Sequence, residues 1–234
     1  MSRLDLDGRV ILVVDDIKFT RLTLVKMLRL FGEPRILEAG DGLAALAALE
    51  QARAEGLTVD CVISDLQMPH MDGLELLQAI RVGTGAIPRD LRLVMLTGHA
   101  DLAHLGPAML LDLDALLAKP TSKDAVGACL HRLFSDEGAS RRLGPIGEAE
   151  VYRRVDCRVG AAVGHGVRMA EIEGKELAIS LAQMPADAQL SRDLTFPNGR
   201  LLLSAGTRLS ARLLACLLDI AALSDLPAEA WIIV

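Results

Sequence analysis

Four short apolar runs each end in a polar residue, and that pattern leaves few folds open. Val10-Ile-Leu-Val-Val14 runs into Asp15-Asp16, and Cys61-Val-Ile63 passes through Ser64 into Asp65. Leu91 to Leu96 leads to Thr97, and Ala115 to Ala118 leads to Lys119-Pro120. Runs this short, separated by helical patterns, read as buried parallel strands of an α/β domain. In such open sheets ligands gather outside the carboxyl ends of the strands. Three carboxylates, a hydroxyl and an ammonium are therefore expected along one edge, far apart as they are in sequence.

The chemistry open to this set is narrow. Clustered carboxylates repel one another, so they either hold protons or share a cation. An all-oxygen ligand set favours a hard divalent ion, Mg2+ above all. A carboxylate can also act as a nucleophile toward phosphorus and become an aspartyl phosphate. Thr97 can then donate to one phosphoryl oxygen, and Lys119 can offer a point charge to another. Each part alone is weak, since Asp-Asp after a strand is as often a loop start and Lys-Pro is an ordinary turn. Four in order, each at a strand end, are specific.

These stretches resemble the receiver domain of bacterial two-component response regulators over residues 8–134. The matching motifs are Val-Val-Asp-Asp at 13–16, Glu-Ala-Gly-Asp-Gly at 38–42, Asp65-Leu-Gln-Met-Pro-His-Met-Asp-Gly73, Met95-Leu-Thr-Gly98 and Lys119-Pro120. The resemblance implies a flavodoxin-like, doubly wound five-stranded parallel sheet. It implies that Asp65 accepts a phosphoryl group from a histidine kinase or phosphotransfer protein. Asp16, Asp65 and the Gln67 backbone carbonyl would bind Mg2+ with help from Asp15, while Thr97 and Lys119 would hold the phosphoryl oxygens. The Lys119-Pro120 bond would be cis. One position departs from the pattern: receivers commonly carry Tyr or Phe three residues before the Lys, and here Leu116 stands there. The usual coupling between the Thr and an aromatic ring is therefore in question, though the phosphorylation chemistry is not.

Around the strands the helical signals are plain. Leu24, Met27, Leu28 and Phe31 fall on one helical face, ended by Gly32 and Pro34. Leu43, Leu46, Ala47 and Leu49 mark a second helix, Leu74 to Ile80 a third, and Val126, Leu130 and Leu133 the helix that closes the domain. Arg81 to Leu91, with Gly83, Gly85 and Pro88, reads as a loop.

The chain's 234 residues leave room for a second small domain after the receiver. Residues 135–148 are small, charged and Gly-rich, as an exposed linker would be. Residues 149–234 read as a small α+β or β-rich domain. Between 149 and about 172 helix and strand signals compete. Arg154-x-x-x-Arg158 matches half of the cyclic-di-GMP motif of PilZ domains, but the Asp-x-Ser-x-x-Gly partner segment is missing. Leu177 to Leu181, Gln189 to Phe196 and Arg200 to Leu203 read as strands, with a turn at Pro197-Asn-Gly199. Ser210 can cap a helix carrying Leu213, Leu214, Leu217 and Leu218, and Trp231 to Val234 closes as a strand. The pattern over roughly 175–234 resembles a module found beside HD-GYP phosphodiesterase domains. That module carries no catalytic set, and no His-Asp, Gly-Tyr-Pro or Gly-Gly-Asp-Glu-Phe motif occurs in the chain.

Charge and cysteine usage bound the partners. Net charge is −6, with both halves acidic: 14 basic against 18 acidic residues in 1–134, and 11 against 13 in 135–234. That disfavours a DNA-binding output, which usually shows a basic face. Cysteines 61, 129, 157 and 216 lie far apart and read as buried free thiols of a cytoplasmic protein. No signal peptide or membrane span is apparent. The expectation is a non-enzymatic response regulator acting through a C-terminal module on a protein effector, with a homodimer left open. The rivals are a receiver that controls a divergent C-terminal hydrolase and, third, a DNA-binding regulator.

Overall fold

A computed structural model describes residues 4–98, 106, 111–135 and 175–234. The linker 135–148 beyond Ser135, the Arg154/Arg158 pair and Cys157 lie outside the described residues.

Five parallel strands form one sheet in the order β2-β1-β3-β4-β5. They are β1 (Val10–Val14), β2 (Arg35–Ala39), β3 (Cys61–Asp65), β4 (Arg92–Thr97) and β5 (Ala115–Ala118). β1 and β3 are buried at every position, which requires cover on both faces and explains their unbroken apolar sequences. Because side chains alternate, Ile11, Val13, Ile63 and Leu96 face α1 (Lys18–Leu28) and α4 (Lys123–Ser135). Leu12, Val14, Val62 and Met95 face α2 (Gly42–Ala54) and α3 (Gly73–Val82).

Local chemistry sets the helix ends. Asp72 caps α3 in a reciprocal capping box: its carboxylate accepts from the Glu75 amide at 2.8 Å, and the Asp72 amide donates to the Glu75 carboxylate at 3.1 Å. Asp41 caps α2 through the Ala44 amide. α1 ends at Leu28, with Arg29–Phe31 continuing as a 3-10 turn. α3 extends past Arg81, which the sequence assigns to the following loop, and stops where Gly83 adopts φ 78°. On α2 the buried face is Ala45, Leu49 and Ala52, while Leu43 is exposed. Small residues together with Leu49 mark its inner side.

The C-terminal residues form a smaller α+β unit. β6 (Glu176–Ser180), β10 (Glu229–Ile233) and β7 (Gln189–Leu190) pair antiparallel with β10 central. β8 (Leu194–Thr195) pairs with β9 (Leu201–Leu203) across the Pro197-Asn-Gly199 turn, where Gly199 takes φ 81°. The single strand expected from Gln189 to Phe196 is thus two strands in different sheets. The chain changes partners at Ser191–Asp193, where the Ser191 amide donates to the Trp231 carbonyl and Asp193 accepts from the Ala205 amide.

α5 (Ala211–Leu223) is capped by Ser210, as its sequence suggests. Its buried stripe is Leu213, Cys216, Leu217 and Ile220, the i, i+3, i+4, i+7 set. Leu218 lies outside it and is exposed. This stripe does not stay within its own unit. Leu111, Leu113 and Leu116 join Leu213, Leu217 and Ile220 in one continuous apolar cluster.

Candidate functional site

β1, β3, β4 and β5 each deliver a polar residue to the same edge. Asp15 is fully buried after β1, and Asp16 beside it is exposed. Asp15 is fixed by its surroundings: its carboxylate accepts from the Ile17 amide at 2.8 Å, and its carbonyl accepts from Arg21 at 2.7 Å. Asp65 ends β3, and its own carbonyl accepts from the Ser64 hydroxyl. Carboxylate oxygens of Asp15, Asp16 and Asp65 lie within 4.8 Å of one another.

Lys119 reaches into this cluster from the end of β5. Its Nζ sits 2.9 Å from Asp15 Oδ2 and 2.7 Å from Asp65 Oδ2. The backbone holds it there, because the Lys119 amide donates to the Thr97 carbonyl at 2.8 Å. The Lys119-Pro120 peptide is cis, as the resemblance implies. Thr97 is buried at the end of β4 and donates its hydroxyl proton to the Gly98 carbonyl. Gln67 lies exposed in the loop two residues past Asp65.

Close backbone approach explains the glycine that ends the Asp65–Gly73 motif. A Cβ at Gly73 would collide with the Asp65 carbonyl, and the Gly73 amide donates to the Leu66 carbonyl at 2.9 Å. The start of α3 is therefore pressed against the backbone that carries Asp65.

The electrostatics are unbalanced by design of the cluster. Three carboxylates face one ammonium, which leaves excess negative charge in a partly dry pocket. Burial pushes the Asp65 carboxyl above the ordinary carboxylate range, and the hydrogen bond from Lys119 opposes this without cancelling it. At Lys119 burial draws the ammonium down, but its bonds to Asp65 and Asp15 outweigh that and leave it above its usual value. Both groups are shifted upward, and the ammonium shared by two carboxylates holds its proton. An oxygen-only set with surplus negative charge fits a hard divalent cation.

Beside Lys119 a groove of about 420 Å³ runs between α1 and the segment after β5, lined by Phe19, Thr23, Met27, Leu96 and Pro120 among others. Phe19 is 79% exposed at its rim.

A second polar system escaped sequence reasoning. Arg81 is fully buried, and its guanidinium donates to the carbonyls of Arg89, Leu91, Leu111 and Asp112 and to the Asp114 carboxylate. It ties α3 to the segments entering β4 and β5. Asp114 also accepts from the Leu93 amide and lies 3.4 Å from Arg212. Farther along, Arg132 of α4 grips Asp219 of α5 with two bonds of 2.9 and 2.7 Å. The only local signals were an Asp just before the β5 run and a lone Asp in a leucine-rich helix.

A doubly wound five-stranded parallel sheet with acidic, hydroxyl and lysine groups at its strand ends is the architecture of a receiver-type signalling domain. Residues 11–131, just over half of the chain, match the response regulator receiver domain, and the chain belongs to that family. It is 32% identical over 124 residues to the chemotaxis protein CheY of Rhizobium etli, covering 53% of this chain and 91% of that protein. It is 33% identical over 107 residues to the transcriptional regulatory protein FixJ of Bradyrhizobium diazoefficiens, covering 45% of this chain and 47% of the relative. The crystal structure of full-length FixJ from B. japonicum is similar at 29% identity, with a TM-score of 0.48 over 58% of this chain and 62% of that one. The chain spans about half the length of FixJ. Family membership makes this a two-component response regulator and implies interaction with a histidine kinase or phosphotransfer protein. Among the described residues no helix is long and apolar enough to cross a membrane.

Proposed function

We propose that Asp65 is the phosphoacceptor, in a Mg2+-dependent reaction, and that residues 149–234 form a non-catalytic protein-interaction module. A carboxylate oxygen of Asp65 attacks phosphorus, the bond from phosphorus to the donor's imidazole nitrogen breaks, and the imidazole leaves carrying that electron pair. Asp15, Asp16, Asp65 and the Gln67 carbonyl would hold the ion, which supplies charge neutralisation when bound. Lys119 and Thr97 then bind the transferred oxygens. The observation that carries this reading is Lys119 seated between Asp15 and Asp65 at 2.9 and 2.7 Å. A cation already aimed at the acceptor needs little reorganisation to meet a phosphoryl group. The apolar groove beside Lys119, with Phe19 at its rim, suits docking of the donor protein's helix.

The module reading is supported by the likeness of residues 175–234 to the unit found beside HD-GYP domains. Its partner is a protein effector or a second copy of the chain. The test is to incubate the full chain with Mg2+ and acetyl phosphate and follow intact mass. One phosphoryl group should be gained, and Asp65→Asn should gain none. A gain that persists in Asp65→Asn would move the site. Phosphodiesterase or other hydrolase turnover, or sequence-specific DNA binding by the full chain, would overturn the module assignment.

A further inference from the structure

We infer that β6 is the edge through which two copies of the chain associate, antiparallel about a two-fold axis at Ala178, joining their three-stranded sheets into one. The inference rests on reading the C-terminal residues as a protein-interaction module, and it names a second copy as that module's partner.

The two edges of the small sheet are treated differently. β7 has two residues, and the chain itself closes its outer side. The Leu190 amide donates to the Thr207 carbonyl at 2.9 Å, the Gly206 amide donates to the Leu190 carbonyl at 2.7 Å, and Gln189 bridges to Arg208. β6 has five residues and one neighbour, β10. The ladder between them fixes which backbone groups are engaged. Lys175 and Val234 exchange amide-to-carbonyl bonds of 3.3 and 3.0 Å, and the Leu181 amide donates to the Ala228 carbonyl. Alternation then makes Leu177 with Ile232 and Ile179 with Ala230 the bonded pairs between them. The amides and carbonyls of Glu176, Ala178 and Ser180 therefore point away from β10. Among the described residues none of them meets a backbone partner.

The usual protections of an edge are missing here. β6 holds no proline and no lysine, and its register with β10 is unbroken. Its one charge, Glu176, is tied back to Arg192 at 2.6 Å. An edge of this kind is a template for another strand.

The sequence of β6 fits its own copy. Outward groups must pair with outward groups, so a two-fold axis can pass through Leu177, Ala178 or Ile179. Only the axis at Ala178 engages all three outward residues: Ala178 meets Ala178, and Glu176 meets Ser180 on either side. Each of these pairs exchanges two hydrogen bonds. The acid lies opposite a hydroxyl, so no like charges meet. Between these pairs Leu177 lies opposite Ile179 of the second copy, at the sites where side chains approach most closely. Leu177 is 47% exposed in the single chain, whereas Ile179, on the same face, packs against the core cluster. Pairing carries that apolar face across the axis and covers Leu177. Five residues a side make a small contact, which sets the dimer among weak, reversible associations.

The experiment follows the full chain by sedimentation equilibrium and residue-resolved amide exchange between about 1 μM and 1 mM, the span of weak affinities. The wild type should dimerise. As the dimer fraction rises, exchange at Glu176, Ala178 and Ser180 should slow by about tenfold or more, while Leu177 and Ile179 stay protected throughout. Ala178→Pro deletes the central outward amide without removing a bond to β10, and should weaken dimerisation by about tenfold or more. Leu177→Lys sets a cation against Ile179 of the second copy. It should act in the same direction, and it serves if Ala178→Pro fails to fold. A dimer of wild-type strength in a folded variant, or one whose three outward amides stay unprotected, would overturn the inference. A chain that stays monomeric would also overturn it, and would leave the module reading standing with an effector as partner. Hydrolase turnover by the full chain would overturn the module reading, and the inference with it.

Discussion

The pocket at the strand ends and the seam between β5 and α5 are built on opposite plans. In the pocket like charges are crowded together, and the repulsion of Asp15, Asp16 and Asp65 is relieved by a single lysine. In the seam the charges are matched, Arg81 with Asp114 and Arg132 with Asp219, and an apolar cluster lies beneath them. The first arrangement is poised to accept something from outside. The second is complete within the chain. A site meant to bind is left electrostatically unsatisfied, whereas a joint meant to hold is paired.

Substitutions can break or sharpen this contrast. The largest effect belongs to the pocket: Asp65→Asn should abolish phosphorylation outright, read as loss of the mass gain with acetyl phosphate. Next, Lys119→Ala should slow phosphorylation about 10²- to 10³-fold, the usual cost of removing a positioned electrostatic group, measured from single-turnover rates. If the seam is purely structural in its resting state, Arg81→Met should leave the Asp114 carboxylate buried with its main partner gone. It should then cost about 3–5 kcal/mol in urea unfolding. Leu217→Ala should cost about 2–5 kcal/mol by cavity formation at a fully buried position. Neither should approach the effect of Lys119→Ala on the phosphorylation rate of the folded protein.

A smaller effect comes from the seam's thiols. Burial pushes the Cys129 thiol up to about 12, and burial likewise raises Cys216. The folded chain keeps these protons where the unfolded chain has lost them. The Cys129 contribution to stability is therefore complete below about pH 9 and declines as pH rises toward 12, by about 1.4 kcal/mol per pH unit, and Cys216 acts in the same direction. Denaturation midpoints measured across that range should fall, and Cys129→Ala should flatten the slope. The smallest change belongs to the Arg132–Asp219 pair. Arg132 is well exposed, so Arg132→Gln should cost only about 0.2–1 kcal/mol of stability.

The same contrast explains what could be read from sequence. Asp15, Asp65, Thr97 and Lys119 each follow a recognisable strand, so a local signal marked every one and the parallel topology did the gathering. Asp219 meets Arg132 across 87 residues and Leu116 across 103, and nothing beside either residue announces the pairing. The leucines of α5 alone place the stripe toward Leu218, whereas the buried thiol of Cys216 shifts its centre to Leu213, Cys216, Leu217 and Ile220. The break between β7 and β8 falls at Ser191-Arg192-Asp193, three polar residues that interrupt the alternation of Leu190, Leu194 and Phe196, and the partners of Leu190 and Leu194 reveal two sheets. Arg81 reads as the first residue of a loop because three of its five acceptors, at Leu111, Asp112 and Asp114, lie 30 or more residues away.

The separation of Leu116 from Asp219 has a consequence in time. A ribosome adding about 5–20 residues per second makes the 103 residues between Leu116 and Asp219 in roughly 5–20 s. The sheet can assemble within that interval, so each newborn chain would hold the Leu116 amide without its Asp219 acceptor until α5 emerges. For those seconds the receiver sheet stands without the last helix that later joins its apolar cluster.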